Sequence, residues 1–185
     1  MGIDLWIAIA VMTVLAAAAA ASVVTRLYSD VGQWTMLGLT VSTFGMVIFL
    51  LYGSGQLFWA RLIPVSAAII YSNLASIFAA IAAAWAWRLP GTPKWRRATL
   101  ATLLSVCSLV AILWPLLSIA LRPPPVGGDH WADGVAKQTS WATCSPAAAA
   151  TLFNGEGIAV SEAEMIPLCL TDYAGTPTLG LYRGV

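Results

Sequence analysis

Up to residue 121 the chain alternates between long apolar stretches and short charged connections. Four stretches carry no charged side chain: residues 5–25, 34–52, 62–87 and 98–121. Asp4 and Arg26 border the first, and the second lies in the uncharged interval between Asp30 and Arg61. Arg61 and Arg88 border the third, Arg97 and Arg122 the fourth. About 20 apolar residues in a helix cross a hydrocarbon core of about 30 Å. Such a helix pairs its own backbone groups, as lipid requires. Four transmembrane helices are therefore predicted. Trp34, Tyr52, Trp59, Trp85, Trp87 and Trp95 fall near the ends of these stretches, where amphipathic rings favour the interface.

Beyond residue 121 the pattern changes. "RPPPVGG", Arg122 to Gly128, stiffens the exit with prolines and then loosens it with glycines. Residues 122–136 read as a linker, and residues 137–185 as ordinary soluble-domain sequence. Ser145 and Pro146 ahead of "AAAATLF" predict a helix start, with Ser145 as cap and Pro146 at the first helical position. Ser161 and Glu164 form a capping box that opens a second short helix, which Pro167 is placed to bend. "TDYAGTPT" is turn-rich, and Gly175 and Pro177 end any regular element there.

Composition agrees with the membrane reading. The chain is 59% hydrophobic and 9% charged, against roughly 25% charged in an average soluble domain. A net charge of +1 gives no electrostatic case for nucleic acid. "MGID" has no basic n-region, so the first stretch reads as a retained helix and not a signal peptide. Trp6 stands where a myristoylation signal needs Ser or Thr. The basic residues set the orientation by the positive-inside rule. Arg88, Lys94, Arg96 and Arg97 place the loop after the third helix in the cytoplasm, with Arg26 on the same side. Arg61, Arg122 and everything after residue 121 are then extracytoplasmic.

No Asp, Glu, Lys, Arg or His lies inside the four stretches, so the usual markers of ion paths and proton relays are missing. Pro64, Pro115 and Asn73 read as packing features, with Asn73 able to hydrogen-bond between helices, and Cys107 as a small apolar residue. The four helices read as an anchor or assembly surface.

Candidate chemistry begins at "KQTSWATCSPAAAATLF". Cys144 stands at the start of a predicted helix, where the helix dipole and unpaired N–H groups interact favourably with negative charge. A thiolate is the nucleophilic form of cysteine, and the same N–H groups suit an oxyanion. Gln138, six residues upstream, is a neutral amide donor able to complete an oxyanion hole. His130, the chain's single histidine, reads as a solvated linker side chain flanked by Asp129 and Asp133. Cys169 reads as a buried structural thiol, with a Cys144–Cys169 disulfide as the alternative in an oxidising compartment. Glu162 and Glu164 read as helix-start charges. Three cysteines without repeating spacing offer no zinc ribbon. No "GxxxxGK[ST]" loop is present for ATP, and no metal or cofactor is expected.

"QTSWATCSPAAAATL", followed by "GI", "SEAEM", "LCLT" and "GTPTLGL", resembles the start of the bacteriocin-processing cysteine peptidases. These are papain-like enzymes that cut after double-glycine leaders. The resemblance covers roughly residues 138–184 and implies Cys144 as nucleophile and Gln138 as oxyanion donor. Ser145 departs from the glycine usual after the family's cysteine. The family's base histidine and orienting aspartate lie further downstream than this chain reaches. The fold expected is therefore an α-helical membrane protein with four transmembrane helices, followed by the N-terminal part of a papain-like α+β peptidase domain. The activity implied is cleavage of a peptide or protein substrate at a bacterial inner membrane, with association with an export system. Two other readings stand beside it. One is a non-catalytic membrane scaffold with a peptidase-like binding segment. The other is a small transporter or export-accessory subunit, which would need pore-lining polar groups.

Overall fold

The structure, a computed structural model, describes residues 2–26 and 32–185. Asp30, one border of the second stretch, lies outside the described residues, as does the Arg26 side chain. Four helices are long and apolar enough to cross a membrane: Ile3–Thr25, Trp34–Gly53, Ala68–Trp87 and Lys94–Leu121. In chain order the elements are α1 (Ile3–Arg26), α2 (Gln33–Ile48), α3 (Phe58–Leu62), α4 (Ala68–Tyr71), α5 (Ala75–Trp87) and α6 (Lys94–Leu121). The hairpin strands β1 (Trp131–Ala132) and β2 (Val135–Ala136) follow, then α7 (Cys144–Gly155), α8 (Glu162–Leu168) and α9 (Thr178–Gly184). α2 ends in a wider π-helical turn, Phe49–Gly53.

Two spans differ from their sequence limits by more than a residue or two. The third begins at Ala68, not at residue 62, because Leu62 closes the separate short helix α3 and Pro64 lies in the connection. A proline disfavours helical geometry in the residue before it, which separates the two elements. The fourth starts at Lys94, so Lys94, Arg96 and Arg97 form its first turn.

The chain divides into two compact units. One comprises Trp6–Ser54 and Ile70–Leu113. Within it α2 lies along α5 at close range. A Cβ on Gly38 would run into the Trp85 indole, and one on Gly45 into the Phe78 ring. Small residues of this kind let membrane helices approach where no hydrophobic driving force exists between them. Trp85, expected at the interface, is therefore a packing residue and is buried.

The third span is interrupted between α4 and α5, where Asn73 N–H donates to the Ile70 carbonyl at 3.1 Å. The Asn73 amide Nδ2 donates to the Ala111 carbonyl on α6 at 2.6 Å. That carbonyl lies four residues before Pro115, which has no N–H to offer it. Asn73 thus occupies the acceptor that the proline vacates. Ser108 adds a second tie, its hydroxyl donating to the Ser76 carbonyl at 2.7 Å.

The other unit joins the start of α1 with Gly55–Ile69 and Trp114–Val185. Trp59 belongs here, and it too is buried despite its expected interfacial place. Asp4 accepts from Ser66 Oγ at 2.6 Å and from Arg183 Nη2 at 3.1 Å. The core between α7, α8 and α9 holds Ala147, Ala149, Ala150, Met165 and Cys169, with Phe153, Val160 and Leu181 packed around it.

Within residues 122–136, expected as a linker, β1 and β2 pair antiparallel with Trp131 opposite Ala136. Asp133 and Gly134 both have positive φ, the geometry of the tight turn that Asp-Gly favours. Ala136 N–H donates to Thr151 Oγ1 at 3.0 Å, which fastens the hairpin to α7. At the end of α6, Arg122 Nη2 pairs with Asp172 at 2.7 Å.

Candidate functional site

Cys144 is the first residue of α7 and is exposed. The helix starts two residues earlier than the Ser145–Pro146 signal predicts: Thr143 is its N-cap, and Ser145 and Pro146 lie in its first turn. Proline is tolerated there because first-turn N–H groups lack intrahelical partners. The Thr143 side chain does not cap the helix. Its Oγ1 instead accepts from Ser140 N–H at 3.1 Å and donates to the Ser140 carbonyl at 3.0 Å. Ala142 N–H donates to Ser140 Oγ at 3.1 Å. These bonds close a compact turn immediately before the cysteine and leave the first-turn N–H groups of α7 without a side-chain cap.

Glu162 holds that turn in place. It is 1% exposed, and its two carboxylate oxygens accept from Gly128 N–H at 3.0 Å and Thr139 N–H at 2.9 Å. Burial alone would raise its pKa. The neighbouring Thr143 hydroxyl and the hydrogen bonds from Gly128 and Thr139 outweigh that and hold the carboxyl below its ordinary range. One carboxylate thus ties Gly128 and the residue next to Gln138 to α8, beside the cap of the Cys144 helix.

This role differs from the one expected of Glu162. Glu164 alone does the work of a helix-start charge: it accepts from Ser161 N–H at 2.8 Å, and its own N–H donates to Ser161 Oγ at 3.3 Å. The Ser161 N–H bond and a second one to the carboxylate from the Ser161 hydroxyl, at 2.9 Å, lower the Glu164 pKa. With the cap so filled, Glu162 faces inward. The sequence gives both residues the same helix-start signature, and only the packing of residues 126–139 against α8 separates them.

Gln138 is exposed, one residue before Thr139 and two before the Ser140 turn, and among the described residues no hydrogen bond joins its side chain to Cys144. His130 is exposed, and its carbonyl accepts from Lys137 N–H at 2.7 Å. Among the described residues no hydrogen bond joins His130 to Cys144, whose Sγ lies 3.9 Å from Ser145 Oγ. Asp129, one of its two acidic neighbours, accepts instead from Trp131 Nε1 at 2.6 Å.

All three thiols are free, so the alternative Cys144–Cys169 disulfide is not formed. Cys169 is fully buried. Burial pushes its thiol up to about 11, against the smaller opposing influence of the Arg183 guanidinium. It is a neutral packing group at physiological pH. Cys107 lies inside the fourth span. Among the described residues no group of three or more His, Cys, Asp or Glu side chains is arranged to hold a metal ion.

The arrangement is a surface thiol at a helix start, with uncapped N–H groups behind it and an amide side chain next to a residue fixed by a buried carboxylate. An exposed thiol at a helix start is open to an electrophile, and N–H groups of this kind can donate to an oxyanion. No protein-family model, curated protein or solved structure matches the chain.

Proposed function

We propose that residues 137–185 supply the nucleophile and oxyanion donor of a membrane-anchored, papain-like cysteine peptidase on the extracytoplasmic side. The observation that carries this reading is the Cys144 turn itself: an exposed thiol opens an uncapped helix, and Gln138 sits next to Thr139, which Glu162 holds.

In the first step Cys144 gives its proton to an imidazole supplied from outside residues 137–185, and its sulfur attacks the scissile carbonyl carbon. The Gln138 amide and the Cys144 N–H donate to the oxyanion. The C–N bond then breaks, and the amine leaves with the proton. Water attacks the thioester, releasing the acid and restoring the thiol.

A second reading is favoured by one observation, the lack of a hydrogen bond between His130 and Cys144 among the described residues. On that reading the segment binds peptides without cutting them. Peptide cleavage measured with wild type and Cys144→Ala in the native membrane separates the two. Loss of cleavage in the variant is the expected result. Undiminished cleavage rules out Cys144 as nucleophile.

A further inference from the structure

We propose that the exposed face around Trp141 and Tyr173 is an interfacial anchor, seated in the lipid headgroup region and holding the Cys144 turn at the bilayer surface. Trp141 is 62% exposed and Tyr173 60%. Their rings meet edge to face, 5.5 Å between centroids. Two large rings left open together are costly in water, whereas Trp and Tyr are favoured at a membrane interface, one end apolar and the other wet.

Their place in the fold selects lipid as the occupant. Tyr173 N–H donates to the Arg122 carbonyl at 3.3 Å, and Arg122 follows the last residue of the fourth span. The neighbouring Asp172 carboxylate grips the Arg122 guanidinium at 2.7 Å. That guanidinium also lies 5.9 Å from the centre of the Trp114 ring, and Trp114 is within the span. The sequence Trp114, Arg122, Tyr173, Trp141 therefore runs without a gap from a membrane-embedded ring to the exposed pair. A basic side chain flanked by aromatics is the usual composition of a membrane boundary. Trp141 stands three residues before Cys144, on the turn braced by Thr143 and Glu162.

One consequence rests on the function proposed above: the peptide that reaches Cys144 is one lying along the bilayer surface, and not one free in solution. The anchor itself does not depend on that reading, so it is tested without reference to cleavage.

The test uses the full chain in nanodiscs, where both bilayer faces are open to solvent. The emission of Trp141 is isolated by subtracting the spectrum of the Trp141→Phe variant, which keeps an aromatic ring against Tyr173. Lipids brominated near the headgroup should remove more of this emission than aqueous iodide does. Quenching by iodide as strong as, or stronger than, that by the lipids places Trp141 in water and overturns the proposal. Resistance to both quenchers means that protein covers the ring, and overturns it equally.

Discussion

Glu162→Ala is expected to loosen the Cys144 turn and to lower the stability of residues 122–185 by about 3 kcal/mol. Hydrogen bonds to a charged group contribute roughly 1.5–3 kcal/mol each, and losing one partner strands the others. Alanine leaves Gly128 N–H and Thr139 N–H without their acceptor. Glu162→Gln is expected to recover only part of the loss, since one amide end is a donor and cannot accept from either N–H. Chemical unfolding of the detergent-solubilised chain, followed by near-ultraviolet dichroism of the aromatic groups, measures both variants.

The same carboxylate fixes the direction of the pH dependence. The Glu162 pKa is lower in the fold than its ordinary value of 4.5. Its stabilising contribution is therefore complete above 4.5 and is lost as the pH falls through the lower folded value. Wild type should lose stability on acidification, and Glu162→Gln should lose less over the same interval. Cys169 acts at the opposite end. Its contribution holds below the ordinary value of 9.0 and disappears as the pH rises towards about 11.

The second large effect lies in the membrane. Asn73→Ala is expected to destabilise the helical bundle by about 2 kcal/mol, because an unpaired carbonyl in hydrocarbon cannot turn to water. The acceptor concerned is the Ala111 carbonyl, which the ring of Pro115 leaves without its helical N–H. Pro115→Ala restores that N–H, so the cost of Asn73→Ala should shrink markedly in the Pro115→Ala background. This non-additivity is the signature of a shared acceptor. Equal costs in both backgrounds would show that Asn73 acts through packing alone.

These two residues mark how much was legible beforehand. The four spans follow from uninterrupted apolar sequence, which lipid makes a near-sufficient condition for helix, and the capping box at Ser161 and Glu164 follows from local hydrogen bonding. Asn73 was visible as an interhelical donor, but its acceptor was not, because the proline that vacates it lies forty-two residues away in sequence. The hairpin at residues 131–136 had a local signal, Asp133-Gly134, hidden within a segment that its prolines and glycines mark as linker. α9 had none: "TLGLYRG" is short and carries two glycines, so its helix depends on packing against α7 and α8. Glu162 is the most instructive case. A charge at a helix start is ordinarily solvated, and only tertiary structure turns this one inward to organise the loop that presents Cys144.

The central claim is that this loop presents Cys144 as a nucleophile beside a working oxyanion donor. Its most direct test is the rate at which a peptide carrying an electrophilic carbonyl captures Cys144 in the full membrane-embedded chain, read by intact mass. The account predicts capture well above that of a model cysteine, a substantial loss on Gln138→Ala, and little change in reaction with a small alkylating reagent that forms no oxyanion. Capture at the model-cysteine rate, unaffected by Gln138→Ala, would contradict it.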